Sequence, residues 1–290
     1  MRDYETQQNL IEQRKLTAIA EYPQQWLHII KSWRKDSEKD CAYLTYSANY
    51  LFRTNGVRWA LDPLTLRRRV LTAPHVNIAE DLSKLEFVLL THQHADHLDD
   101  ALIHELRDTS IQWVVPKEIK SKVMQFGLLE RNMIIPEDLK TISIRGVNIV
   151  PFEGLHWQKL HREEIVEIHG VPATSYMVEF NGKRWLFPGD IRDYDVDALP
   201  GFGVMDGIFA HLWLGKKCAL MEPPPLLDAF CHFFVGLKPK RIVITHLEEL
   251  GRNALDYWDE SHYELVRLQI QQMSPNINIS AAYMGEKIIL

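Results

Sequence analysis

The ten residues from Thr91 to Asp100, "THQHADHLDD", contain three histidines and three aspartates and directly follow the apolar run Phe87-Val88-Leu89-Leu90. A polar turn needs hydrogen-bonding groups, but it has no need of imidazoles at alternate positions. A metal site at the end of a strand does. If the chain stays extended past Leu90, His92 and His94 point the same way, because successive side chains of an extended chain alternate. Asp96 and His97 follow where "HLDDALIHEL" starts a helix, and they can face a second point nearby. One loop therefore offers ligands to two ions. Imidazole nitrogen and carboxylate oxygen suit zinc, manganese or iron. Two such ions about 3.5–4 Å apart can share a hydroxide and clamp both oxygens of a displacement.

The remaining ligands must come from other strand ends, which demands a sheet whose termini converge. "VPFEGLHW" puts His156 just beyond a strand-like run. "WLFPGD" ends another at Asp190, where a carboxylate can bridge two ions, and "RIVITHL" ends a third at His246.

The rest of the chain fits such a scaffold. Residues 4–34 carry apolar positions at helical spacing, with a break expected at Pro23, and "RKDSEKD" reads as a solvated connector. Asn55-Gly56, Arg145-Gly146 and Asn181-Gly182 each sit between strand-like runs as hairpin turns. "INISAAYMGEKIIL" is expected to close the chain as another hairpin. Helices are expected near 98–107, 117–126, 224–236 and 259–273, and "DGIFAHLWL" and "KRIVITH" read as short buried strands. Hairpins and helices occur in both halves, which favours two mixed sheets with helices outside, an α/β layered architecture.

With 290 residues, of which 46% are hydrophobic, the chain has ample length for a full core. The net charge of −6 argues against nucleic acid as a partner. Cys41, Cys218 and Cys231 are an odd count at scattered spacings, which fits a reducing compartment, the cytoplasm. The polar start of the chain reads as no export signal. No run approaches the roughly 20 apolar residues of a spanning helix.

The ordered set H-x-H-x-D-H, a later His, a Gly-Asp after a strand and a final His after another strand resembles the metallo-β-lactamase superfamily over roughly residues 41–290. The resemblance implies an αββα sandwich with the site at one edge of the sheets, preceded by an N-terminal helical extension (residues 1–40). It implies that His92, His94 and His156 hold a first metal, and that Asp96, His97 and His246 hold a second, with Asp190 bridging. Two divalent transition-metal ions are then the cofactors, zinc foremost, with manganese or iron as alternatives. Asp62-Pro63 after the first hairpin, Leu98-Asp99 and His156-Trp157 look most like the branch containing ascorbate-6-phosphate lactonase and N-acyl phosphatidylethanolamine phospholipase D.

The function expected from this is a dinuclear metal-dependent hydrolase. A metal-bridging hydroxide would attack a lactone or ester carbonyl, or the phosphorus of a phosphodiester, with Asp96 and Asp190 as catalytic carboxylates. The substrate would be a small molecule, phosphorylated or not. The alternative is a non-catalytic metal-dependent binding or sensor protein of the same fold.

Three further residues are weighed as substrate contacts. Arg68 in "LRRRV" either lies on a solvated face or grips a phosphate bidentately. His161, like His169, is either a substrate contact or a solvated loop residue. His211 on its apolar strand is either a hydrogen-bonded core histidine or part of the pocket. The apolar stripe of the N-terminal helix needs a cover, either the sandwich or a partner subunit in a homo-oligomer.

Overall fold

A computed structural model describes residues 3–36, 39–162 and 165–290, with side chains between 158 and 169 excluded. In chain order the strands are β1 (Cys41–Leu44), β2 (Tyr50–Thr54), β3 (Val57–Leu61), β4 (Phe87–Leu89), β5 (Gln112–Val114), β6 (Met133–Ile134), β7 (Ile142–Ile144), β8 (Val147–Glu153), β9 (Trp157–Arg162), β10 (Ile165–Gly170), β11 (Thr174–Phe180), β12 (Lys183–Phe187), β13 (Gly207–His211), β14 (Arg241–Thr245), β15 (Asn278–Ala281) and β16 (Lys287–Ile289). The α-helices are α1 (Tyr4–Arg34), α2 (Leu66–Arg69), α3 (Ile78–Asp81), α4 (Asp100–Leu106), α5 (Lys120–Gln125), α6 (Leu227–Gly236) and α7 (Glu260–Met273).

Two mixed sheets stack face to face. The first has the order β16-β1-β2-β3-β4-β5-β6 and the second β15-β14-β13-β12-β11-β8-β7, while β9 and β10 form a separate hairpin. Strand alternation sorts side chains into layers. In β2 to β4, Phe52, Trp59 and Phe87 face the second sheet, where they meet Phe187 and Phe209. Leu51, Ala60 and Val88 face outward beneath α1 and α4. In β13 and β14, Phe209 and Val243 point inward, and Ile208, Ala210, Ile242 and Ile244 point outward under α6 and α7. Strands buried on both faces read as unbroken apolar runs for this reason. The result is an αββα sandwich, as the sequence implies.

Helix α1 lies on the first sheet. Tyr22, Trp26, Ile29, Ile30 and Trp33 are buried in the outer core of that sheet, and the Trp33 indole N–H donates to the Phe52 carbonyl at 2.7 Å. Arg53 and Arg58 donate to the carbonyls of Ser32 and Arg34, closing the C-terminal end of the helix. The expected break at Pro23 does not occur, since α1 runs through it; Tyr22 and Trp26 are anchored on either side. The last expected hairpin is also corrected. β15 pairs parallel with β14, and β16 pairs antiparallel with β1 in the other sheet. Each sheet ends in an edge of unpaired backbone groups there, and splitting the two runs covers both edges where a hairpin would cover one.

Topology brings one set of strand ends together. β3 is parallel to β4, and β12, β13 and β14 are mutually parallel. β8 and β12 are both antiparallel to β11 and so share a direction. The loops leaving the C-terminal ends of these strands are tied across the sandwich by the Thr174 N–H to Thr91 carbonyl bond at 3.0 Å and by the His246 N–H to Ser47 carbonyl bond at 2.8 Å.

Candidate metal centre

The loop after β4 does not continue as a strand or begin a helix at His97. It bends at Gln93 and turns over 95–97, and α4 starts only at Asp100. Asp99 caps that helix, accepting from the Leu102 N–H, and also takes the Thr65 N–H and hydroxyl. The bend aims three imidazoles at one point. Nε2 of His92 and Nε2 of His156 each stand 3.1 Å from Nδ1 of His94. Nitrogen ligands about 2.0–2.1 Å from a tetrahedral ion would be spaced about 3.3 Å apart, so this cluster fits such an ion. Asp190 completes the group, with Oδ2 at 3.9 Å from His92 Nε2.

A second group shares that carboxylate: Asp96, His97, Asp190 and His246. Asp190 Oδ1 lies 3.4 Å from His97 Nε2 and 3.7 Å from His246 Nδ1. Asp96 Oδ2 lies 3.7 Å from His246 Nε2. His97 Nε2, His156 Nδ1 and both ring nitrogens of His246 are buried without a hydrogen-bond partner. Buried polar atoms are rarely left so. The His97 and His246 nitrogens among these, converging with the carboxylates of Asp96 and Asp190, fit divalent transition-metal ions. His246 also holds a backbone φ of +65°, uncommon for a non-glycine residue; its bond to Ser47 fixes it there.

Asp62, which follows β3, supports the cluster from behind. It is fully buried, accepts from the Thr91 N–H and hydroxyl, and lies 2.8 Å from His97 Nδ1. An imidazole N–H donated to this carboxylate leaves the His97 Nε2 lone pair facing the cluster, which is how carboxylates orient metal-binding histidines. Burial raises the Asp62 pKa, against the opposing pull of His97 and Thr91. Burial disfavours charge on His97, yet Asp190 and Asp62 hold its pKa well above the ordinary value. Burial drives His156 the other way, to about 3. Asp96 resists burial because His246 and His97 favour its carboxylate, and its pKa sits well below the usual range.

His211 closes the back of the site. Its Nδ1 is 2.8 Å from Asp190 Oδ1, and its Nε2 is 3.1 Å from the Tyr50 hydroxyl, which in turn is 2.6 Å from the Thr245 hydroxyl. The cleft above, a narrow cavity of about 40 Å³, is lined by His94, His156, Arg192, Trp213, Arg252 and Trp258, among others. Glu249 accepts from Arg252 at 2.6 Å and from Arg69, and Arg252 also reaches Asp96 at 3.1 Å.

The seven residues read as ligands from sequence thus meet at one sheet edge, and His211 joins them. Arg68 does not. Its Nε donates to the Leu98 carbonyl and its guanidinium stands 3.6 Å from Asp100, beside a different depression. The single turn of α2 sends Arg69, not Arg68, towards the site, and Glu249 takes that charge. By register His161 pairs with Val166 and His169 with Gln158 on the β9–β10 hairpin; their side chains lie outside the described residues. Sequence reasoning missed the roles of Glu249, Arg192 and Arg252. It noted Asp62 only as part of the Asp62-Pro63 pair after the first hairpin, although a carboxylate after a strand was the same signal that marked Asp190.

Four layers with a histidine–aspartate cluster where parallel strand ends converge define the metallo-β-lactamase fold. The family described as the beta-lactamase superfamily domain matches residues 59–247, and the chain belongs to that superfamily. A metal-dependent hydrolase of Methanosphaera stadtmanae is 24% identical over 199 residues, covering 61% of this chain and 80% of that protein. Among solved structures, Igni18, a metallo hydrolase of Ignicoccus hospitalis, superposes with a TM-score of 0.62 at 16% identity, over 87% of this chain and 98% of its own. An isothiocyanate hydrolase from Delia radicum gut bacteria gives a TM-score of 0.59 at 16% identity, over 86% and 98% of the two chains. These likenesses establish the fold.

Proposed function

We propose that this protein is a hydrolase dependent on two divalent transition-metal ions, zinc foremost. His92, His94 and His156 would hold one ion and Asp96, His97 and His246 the other, with Asp190 shared between the two groups. The observation that carries this reading is the pair of candidate ligand groups that share Asp190, with buried nitrogens of His97 and His246 that have no hydrogen-bond partner. Relatives at low identity that are named metal-dependent hydrolases support it. Ions bound there supply Lewis acidity and make hydroxide available from water near neutral pH.

The chain's own residues do the rest. Asp62 and Thr91 set the orientation of His97 and His92 through their Nδ1 atoms. Asp190 and Asp96 stay ionised at neutral pH and are the groups placed to take and return a proton. Trp213 and Trp258 wall the cleft, which suits a small-molecule substrate, a lactone, ester or phosphodiester. The three cysteines are free and buried, in keeping with the reducing cytoplasm as its compartment. No helix among the described residues is long and apolar enough to cross a membrane.

Metal analysis of the purified protein should find close to two ions per chain. Chromogenic esters, lactones and phosphodiesters, run with Zn²⁺, Mn²⁺ and Fe²⁺, should then reveal turnover that chelation abolishes. Metal content near zero after supplementation would overturn the assignment. Two bound ions with no turnover across the panel would favour a non-catalytic binding protein.

A further inference from the structure

The cleft contains two arginines in different electrostatic states. Arg252 is committed, bonded to Glu249 and Asp96. Asp256, on the same wall, accepts the Lys217 N–H at 2.7 Å. Arg192 is not committed. Among the described residues no carboxylate pairs with it, and its Nε is buried without a hydrogen-bond partner. Its guanidinium lies 4.7 Å above the centre of the Trp213 ring.

This arginine is held in place from several directions. Its backbone N–H donates to the Leu155 carbonyl at 2.8 Å, in the turn that presents His156. The Tyr194 hydroxyl donates to the Trp213 carbonyl at 2.6 Å, fixing the platform beneath the guanidinium. Arg192 lines the same cleft as His94 and His156. A guanidinium stacked on an indole face keeps its N–H edge available, and that planar edge matches the two oxygens of an oxyanion.

We propose that Arg192 is the substrate-anion anchor of this site: it binds a carboxylate or phosphate carried by the substrate beside the bond to be cleaved. Arg192 thereby selects anionic substrates over neutral ones of the same shape. The inference rests on the hydrolase reading only in that the anion belongs to the molecule turned over.

The test uses metal-loaded wild type with Arg192→Gln, Arg192→Met and Arg192→Lys, and metal content is measured for each. Calorimetric titration with inorganic phosphate and with succinate reads anion binding and separates the two oxyanion classes. We expect Arg192→Gln to weaken binding of at least one of them about 10- to 100-fold, the effect of a lost charge-assisted hydrogen bond, with part recovered in Arg192→Lys. Should the Gln variant fail to fold, Arg192→Met, which keeps the stem packed on Trp213, carries the same criterion. Turnover of p-nitrophenyl hemisuccinate is then compared with that of neutral p-nitrophenyl butyrate. The wild-type preference for the anionic ester should fall by a similar factor, chiefly through KM. Equal anion affinity in wild type and neutral variants, at equal metal content, would overturn the proposal, because the metals alone would then account for binding. Anion binding lost in the variants, with wild type silent on both esters and on the lactones and phosphodiesters of the panel, would support the anchor and sink the hydrolase reading instead.

Discussion

Replacing Asp62 with asparagine tests the metal centre through a residue that need not touch a metal. Asn keeps the size of the side chain and tolerates the backbone φ of +44° at this position, so the fold should survive. The hydrogen bonds should not. Asp62 Oδ1 accepts from the Thr91 N–H at 2.8 Å, and Oδ2 faces His97 Nδ1 at 2.8 Å. An amide has one acceptor end and one donor end. If its nitrogen faces His97, the ring must move its proton to Nε2 and loses the lone pair aimed at Asp190 and the second ligand group. If its nitrogen faces Thr91, two donors meet in a fully buried place. Such supporting partners typically contribute 10- to 100-fold to metal affinity, or about 1.4–2.8 kcal/mol. We therefore expect Asp62→Asn to bind one ion normally and the other about 10- to 100-fold more weakly, with turnover falling as the weak ion is lost. Competition against a chromogenic chelator, with metal analysis after dialysis, measures both affinities. Two ions bound with wild-type affinity would refute the claim that Asp62 sets the His97 tautomer.

Further outcomes follow from the same geometry. His156→Ala should lose one metal and nearly all turnover, while His161→Ala and His169→Ala should keep both metals; metal content of the three purified variants decides. Trp33→Ala should destabilise the fold by about 3–5 kcal/mol, since it empties a buried indole site and removes the indole bond to the Phe52 carbonyl; urea unfolding reads this, and a loss below 1 kcal/mol would mean that α1 contributes little. Metal-free protein should show a maximum in stability against pH. His156 and His211, with folded pKa values of about 3 and 4 against an ordinary 6.5, bind protons more readily once unfolded, so stability rises with pH up to that value. His246, raised to about 9, adds stability that is full below 6.5 and lost as pH climbs through 9. A urea midpoint that keeps rising from pH 6.5 to 9 would contradict this.

Local sequence specified most of the helices and hairpins and the residues that gather at the candidate site. Local turn residues such as Asn55-Gly56 and Asn181-Gly182 set hairpins because their backbone preferences are local. The residues of the candidate metal centre were legible because each follows a strand-like run, and a strand end is a rigid origin that apolar periodicity reveals. Only the tertiary structure decided which strand ends meet, because pairing between β12, β13 and β14, or across the two sheets, depends on contacts between residues far apart in the chain. The same holds for β15 and β16, whose adjacent runs read as a hairpin until two separate sheet edges compete for them. Charge partners were the least legible. Arg68, Arg69, Arg192 and Arg252 look alike in the sequence. Packing alone leaves Arg68 on a carbonyl, spends Arg69 and Arg252 on Glu249, and holds Arg192 over Trp213, because a long side chain's partner is set by what other elements bring within its reach.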